Sequence, residues 1–402
     1  MKVVQINAVY GCKSTGTIMR QLQDACLARG IDAFVTYSWA DRPYTEIRNG
    51  YHIGNCLTEK VHAFLSRIAG KQGYFNRFTT WLFLRYLSRL EPDIVHLHNL
   101  HSNYIHLNSL LRFLGKNDIR TIITLHDCWF FTGGCFHYSS VNCQRWKYEC
   151  GNCPKRRKDT PAYFVDASSS ILQDRKKYLN SIPRLTIIGA SKWVSEECGQ
   201  SILKTRDIRF IHNGFDFSIF RPTESTWKKQ LGIEGKYVIL GPASKWYQEI
   251  NHSTFDFFVQ SMDESMVLVL FGGRPNHVPE SKKVVHIDYI QNAYDMAAVY
   301  SMADIMVNCS REDTLSSLNI ECQACGTPVV TYEATGNKET VDGVCSLAVE
   351  SGNYEDLFFA MLTIREKGKG NLSSGCISWV NQEFSYCDFI DKYISLYEEG
   401  NK

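Results

Sequence analysis

No stretch of the 402-residue chain reaches the roughly 18 uninterrupted apolar residues of a membrane-spanning helix, so none is expected. The opening residues, MKVVQINAVYG, read as a short strand and a turn and lack the apolar h-region of a signal peptide, so the expected location is the cytoplasm. Internal repeats and low-complexity tracts are absent. No Gly-Lys-Ser/Thr stands at Walker A spacing, and no recognised nucleic-acid reading motif is present, so nucleic acid is not expected as a partner. Net charge is also scarce, at +2, and 44% hydrophobic with 21% charged residues excludes disorder, collagen and coiled coil.

Cysteine is abundant instead. The fifteen are an odd number, spread along the chain without a secretion signal, which fits reduced thiols rather than a disulfide framework. The small net charge conceals a division: residues 1–217 carry +12 and the remainder −10. A basic half joined to an acidic half implies different partners for each.

The length corresponds to about two or three domains. Continuous apolar runs, VVQI (3–6), AFVTY (33–37), DIVHLH (93–98), TIITLH (121–126) and LTIIGAS (185–191), read as strands covered on both faces of a parallel sheet. After Pro222 the rhythm restarts with YVILGPAS (237–244), MVLVLFGG (266–273), VVHIDYI (284–290), DIMVNCS (304–310) and TPVVTYEA (327–334). Two series of strands alternating with helices predict two doubly wound α/β domains, joined near residues 217–230. Ligands of such sheets bind at the carboxyl ends of strands. Gly11 to Gly16, His126 with Asp127, Lys245, and Glu312 with Asp313 all fall there.

The loop YGCKSTGT (10–17) leads into a helix expected to begin near Thr17, and serves equally as a phosphate-approaching turn or a plain βα turn. In SREDTLSSLNIECQACGTPVV (310–330) an acidic loop precedes a short helix carrying Glu321 and ending at Gly326. Loop and helix carboxylates aimed at one pocket suit ribose or hexose hydroxyls and a positive anomeric centre. Asp313 serving only as helix cap is the plain alternative.

The acid, seven residues, Glu pattern followed by ACGTPVV resembles the retaining nucleotide-sugar glycosyltransferases of family four. HNGFD (212–216) is similar to that family's hinge motif. DIVHLHNLH (93–101) and TLHDCWFFTGGC (124–135) resemble the branch that builds bacterial exopolysaccharides such as colanic acid. The resemblance implies a GT-B fold of two Rossmann-like domains facing a central cleft. Its implied parts are an acceptor and membrane-facing domain at 1–217, a nucleotide-sugar domain at 218–383, and a terminal helix at 384–402 crossing back. By position it implies His126 at the donor sugar and Asp313 or Glu312 beside it. It puts Glu321 on the ribose, and Lys245, Gly11, Gly16 and Thr17 near the diphosphate. Leu318 and Asn319 are implied among the donor contacts. The chain departs from the family in carrying Ile250-Asn251 where Lys-Gly is usual and Ser316 or Ser317 where proline is usual; Arg274 is the expected substitute for the missing lysine.

The implied activity is a hexosyltransferase using a UDP- or GDP-sugar and a lipid-linked saccharide, with no metal in catalysis. A nucleotide-sugar epimerase and a non-catalytic subunit are the alternatives. Cys135, Cys143, Cys150 and Cys153 (C-x7-C-x6-C-x2-C) suit a structural zinc site, or else are buried thiols. Cys322 and Cys325 read as core, and His96, His98 and His101 as satisfied polar groups near Asp93. Between Glu59 and Leu90, Lys60, Arg67, Lys71, Arg77, Arg85 and Arg89 stand among aromatics against one acid. This reads as an element that binds an anionic membrane peripherally, joined by Lys155 to Lys158, or as a helix packed on the first sheet with a solvated basic side.

Overall fold

The computed structural model describes residues 1–273 and 281–399. Seven parallel strands form the first sheet: β1 (Lys2–Ile6), β2 (Asp32–Tyr37), β3 (Gly50–His52), β4 (Ile94–Leu97), β5 (Arg120–Leu125), β6 (Leu185–Gly189) and β7 (Asp207–Phe210). Their order is β3-β2-β1-β4-β5-β6-β7. Six parallel strands form the second: β8 (Tyr237–Pro242), β9 (Met266–Phe271), β10 (Val284–Ile287), β11 (Ile305–Asn308), β12 (Val329–Tyr332) and β13 (Leu347–Val349), in the order β10-β9-β8-β11-β12-β13. Central strands are buried on both faces: Val3, Val4 and Ile6 in one sheet and Val238, Ile239 and Leu240 in the other are fully enclosed. That double burial selects continuous apolar runs over alternation. All ten predicted strands are present. Within these two sheets the three unpredicted strands, β3, β7 and β13, are short edge strands, and DIRF of β7 is charged and largely exposed; Val9–Tyr10 and Trp39–Ala40 pair as a further two-residue ladder.

The chain divides into two compact units, Met1–Asn213 with Phe389–Lys402, and Gly214–Asp388. The first division therefore falls at Asn213/Gly214, four residues before the boundary read from the charge change. Helix α1 (Lys13–Ala28) starts four residues earlier than Thr17, so Gly16 and Thr17 are helical. The basic aromatic segment is two helices, α2 (Cys56–Ala69) and α3 (Arg77–Leu90), separated by a turn in which Gly70 (φ +67°) and Gly73 (φ +86°) adopt backbone conformations closed to most residues. Glu321 lies on α4 (Ser317–Ala324), and the terminal helix is α5 (Tyr386–Glu398). Within the first unit, Tyr397 of α5 reaches His96 Nδ1 (2.7 Å), Tyr393 reaches Thr124 Oγ1 (2.7 Å), and Arg120 donates to the Tyr397 carbonyl (2.9 Å). A cation at the last carbonyls complements the negative end of that helix.

Candidate active site

In each sheet the chain winds outward on one side of the first strand and then returns to its other side. The switch points lie between β1 and β4 and between β8 and β11, where loops part and leave room for a ligand. A buried asparagine ties the two parting loops together at each switch point. In the first unit Asn7 Oδ1 accepts from the amides of Ala8 (3.0 Å) and Asn99 (3.1 Å), while its Nδ2 donates to the Val9 carbonyl (2.9 Å). In the second, Asn251 Nδ2 donates to the carbonyls of Lys245 (3.0 Å) and Cys309 (2.9 Å), and its Oδ1 accepts from Arg311 Nε (3.0 Å).

At the first switch point, Gly11 has φ +72°, and a Cβ there would stand 2.4 Å from Asp41 Oδ1. Its amide donates to the Gly16 carbonyl (3.0 Å). A Cβ on Gly16 would press within 3.2 Å of Gly11 N and Val9, so the turn requires glycine at 11 and is tightly packed at 16. The first-turn amides of α1 have no acceptor within the helix, the usual basis of anion binding there.

Beside this turn runs a chain of imidazoles. Gln5 Nε2 donates to the Met19 carbonyl (3.2 Å), which leaves Oε1 facing His98 Nε2 (3.2 Å). His98 is held neutral, burial pushing its pKa well below the ordinary value. With its proton on Nε2, His98 accepts at Nδ1, and His126 Nε2 donates across 3.1 Å. This network fixes the His126 tautomer and leaves Nδ1 as an acceptor. Burial pushes His126 down to about 4, against the opposing pull of Asp127. His101 lies 3.2 Å from Asp127, not near Asp93, which instead accepts from the Lys2 amide (2.7 Å). Burial acts to raise the Asp127 carboxyl, but His101 and the Trp129 amide outweigh it and hold the pKa below the usual range.

At the second switch point, Lys245 occupies a short helix (Ala243–Trp246) after β8, and its ammonium has no partner among the described residues. The backbone of the acidic loop after β11 is pinned: the Asp313 amide donates to Thr335 Oγ1 (2.8 Å), the Gly336 amide to the Asp313 carbonyl (3.0 Å), and Ser310 Oγ to the Glu312 carbonyl (3.0 Å). Asp313 is not the cap of α4; Ser316 holds that position and accepts from Asn308 Nδ2 (3.1 Å), which accounts for the serine in place of proline. Glu321 Oε2 accepts from Tyr300 OH (3.2 Å), and burial raises its pKa to about 7 despite that bond and one from Ser317. Leu318 packs on the core beside Met306 and Val329.

The Asn319 side chain accepts from Asn308 Nδ2 (2.8 Å) and donates to Thr340 Oγ1 (2.8 Å), fixing the first turn of α4 in place. One expectation needs correction and one falls outside the described residues. Cys135, Cys143, Cys150 and Cys153 do line one cleft, beside Trp146. Yet no three His, Cys, Asp or Glu side chains among the described residues are disposed to hold a metal ion. Cys135, Cys143 and Cys150 pack against the core as small apolar groups, and burial pushes Cys135 up to about 12 and Cys150 to about 11. Arg274 lies outside the described residues. Asn7, Asn251 and His98 were not anticipated as site-builders. Their sequence signal is only a polar residue at a strand end or after a basic loop.

Solved structures share this architecture along essentially the whole chain. A sucrose-phosphate synthase from Thermosynechococcus elongatus superposes with a TM-score of 0.70 at 16% identity, over 99% of this chain and 98% of that one. Anabaena Alr3699/HepE, solved with UDP and glucose, gives 0.62 at 14% identity, over 99% and 100%. The fold is thus GT-B, the two-Rossmann-domain class of glycosyltransferases. Residues 15–218 match the family described as Glycosyltransferase Family 4, and residues 238–367 that described as Glycosyl transferases group 1. The chain belongs to Glycosyltransferase Family 4. It is 28% identical over 134 residues to an Escherichia coli (strain K12) protein named as a colanic acid biosynthesis glycosyl transferase, WcaC; the match covers 32% of each. Its matches span between 26% and 51% of the length of the curated relatives.

Proposed function

We propose that the protein is a retaining hexosyltransferase that moves a sugar from a UDP- or GDP-sugar onto a lipid-linked saccharide in the assembly of a bacterial surface polysaccharide. The observation that carries this reading is the second sheet's switch point, where Asn251 binds the Lys245 loop to the strand end that opens the Glu312–Asp313 loop. UDP and glucose in HepE, and the name of WcaC, support a nucleotide-sugar donor and a polysaccharide product.

In this reading Lys245 and the helix N-terminal amides hold the diphosphate and stabilise its departure. Glu321 accepts hydrogen bonds from the ribose. Asp313 or Glu312 orients the sugar and stabilises positive charge at the anomeric carbon as its bond to the diphosphate lengthens. The acceptor hydroxyl attacks from the same face and gives its proton to the departing diphosphate oxygen, so configuration is retained. On the first unit, His126 Nδ1 accepts from a sugar hydroxyl.

The test is incubation with UDP- and GDP-sugars, with and without a bacterial lipid extract, following nucleoside diphosphate release and the anomeric configuration of the product. The expected result is release that requires the extract, with retention. Isomerised donor without any acceptor identifies an epimerase instead. No turnover by a folded protein identifies a non-catalytic subunit, the reading that Ile250 in place of lysine favours.

A further inference from the structure

Helix α2 is built inside out. It buries His62 and Ser66 and turns Leu57, Val61, Phe64 and Ile68 to solvent, with Leu57 71% and Phe64 63% exposed. These four recur at i, i+4, i+7 and i+11, the spacing of one helical stripe, and such a stripe normally faces a core. Helix α3 buries Phe83 and Leu87 yet leaves Phe78 70% exposed and Trp81 48%.

The two helices are both tied to Asn103. Ser66 of α2 donates to Asn103 Oδ1 (3.3 Å), and Asn76, at the start of α3, donates to the Asn103 carbonyl (2.9 Å). A third segment, Tyr163 to Val165, is fastened beside them by the Tyr163 amide on the Arg67 carbonyl (2.9 Å), and its side chains are exposed. So many exposed large apolar side chains on two neighbouring segments of chain mark an interaction or membrane surface rather than a free one.

Charge tells what covers them. Lys60, Arg67, Arg77, Arg85 and Arg89 stand on the same two helices, Arg85 with its guanidinium 4.9 Å above the Trp81 ring. The one acid of the segment, Glu59, accepts from the Ser38 hydroxyl. Lys155 adds nothing to this face: it is buried, donating to the His137 carbonyl (2.8 Å) and pairing with Asp159 (3.4 Å).

We infer that α2, α3 and the Tyr163–Val165 segment form a docking surface for an anionic phospholipid bilayer. Apolar tips enter at headgroup depth while the flanking cations meet lipid phosphates. A second copy of the chain fits worse, because two such faces would oppose cation to cation. Spanning is not required, and among the described residues no helix is long and apolar enough for it. The inference stands on this surface and is independent of the proposed reaction.

Co-sedimentation of the full chain with phosphatidylcholine vesicles, with and without phosphatidylglycerol, tests it. Binding is expected to the anionic vesicles and to weaken as salt is raised. Arg67→Gln and Arg77→Gln, both exposed, should each weaken it about fivefold, and Phe64→Ser with Phe78→Ser should abolish it while the melting temperature holds. Equal binding to both vesicle types, or none to either, overturns the inference. So does light scattering that shows a dimer which Phe64→Ser converts to monomer, since the face is then covered by a second copy.

Discussion

His98 and His126 share a single hydrogen bond, 3.1 Å between Nδ1 of the first and Nε2 of the second, and its direction is set one step away by Gln5. His98→Phe removes the acceptor while keeping the buried volume apolar, and frees His126 to rotate or change tautomer. A hydrogen bond of this kind is worth about 1 kcal/mol, so kcat/KM for transfer should fall roughly five- to tenfold. Nucleoside diphosphate affinity should not change, since the proposed reading assigns the nucleotide chiefly to Lys245 and Glu321 of the second unit. A drop in nucleotide affinity equal to the drop in turnover would mean His98 acts on the fold rather than on His126.

The same imidazoles make stability depend on pH. Burial holds His96 at about 3 and His126 at about 4, against 6.5 for a free side chain. The unfolded chain therefore takes up protons below about 6.5 that the folded chain refuses. The stabilisation is complete above that pH and is lost as pH falls from there toward 4 for His126 and toward 3 for His96. Between pH 6.5 and 5 the loss is about 2 kcal/mol for His96 alone, at about 1.4 kcal/mol per pH unit. Urea unfolding across this range should show it, and His96→Gln should flatten the curve.

Glu321 works in the opposite direction. Its pKa is raised from 4.5 to about 7, so the stability it contributes when protonated is present at low pH and lost as pH rises through 7. Glu321→Gln should stabilise the ligand-free protein at pH 8 by on the order of 3 kcal/mol. Ribose hydroxyls need the ionised carboxylate, so donor KM in the unaltered protein should fall as pH rises from 6 to 8. In Glu321→Gln the KM should be higher at every pH and lose this dependence. A KM that is flat with pH before substitution would remove Glu321 from the donor site.

In the proposed reading Lys245 holds the diphosphate without the family's usual second lysine, Ile250 standing in its place. Lys245→Met should cost a charge-assisted contact of about 1.5–3 kcal/mol, roughly ten- to a hundredfold in donor affinity. Ile250 is 43% exposed, so Ile250→Lys should be tolerated and should tighten nucleotide binding. Calorimetric titration with UDP and GDP measures both.

The strands were legible because burial forces apolar runs: nine of the ten read from such runs are inner strands, and the tenth, the edge strand Val284–Ile287, keeps an apolar run of its own. Edge strands such as Asp207–Phe210 escaped because an exposed edge leaves no apolar signature. Glu321 and the acidic loop were singled out by the family resemblance of their motif, spacing alone leaving a helix cap as an equal reading for Asp313. The asparagine clamps were not: Asn7 and Asn251 act through long-range bonds to Asn99, Cys309 and Arg311, and only the crossover of the sheet brings those partners together. The cysteine spacing suggested zinc, but spacing does not reveal whether sulfurs converge on a point or merely pack beside Trp146.

Thermal unfolding against a panel of UDP, GDP, ADP and CMP tests the central claim most directly. A ligand that binds only the folded chain adds about 2.7 kcal/mol at 100 times its Kd. A stabilising shift with UDP or GDP, lost in Lys245→Met, is the predicted result. No shift with any nucleotide, from a protein that unfolds cooperatively, would contradict the account.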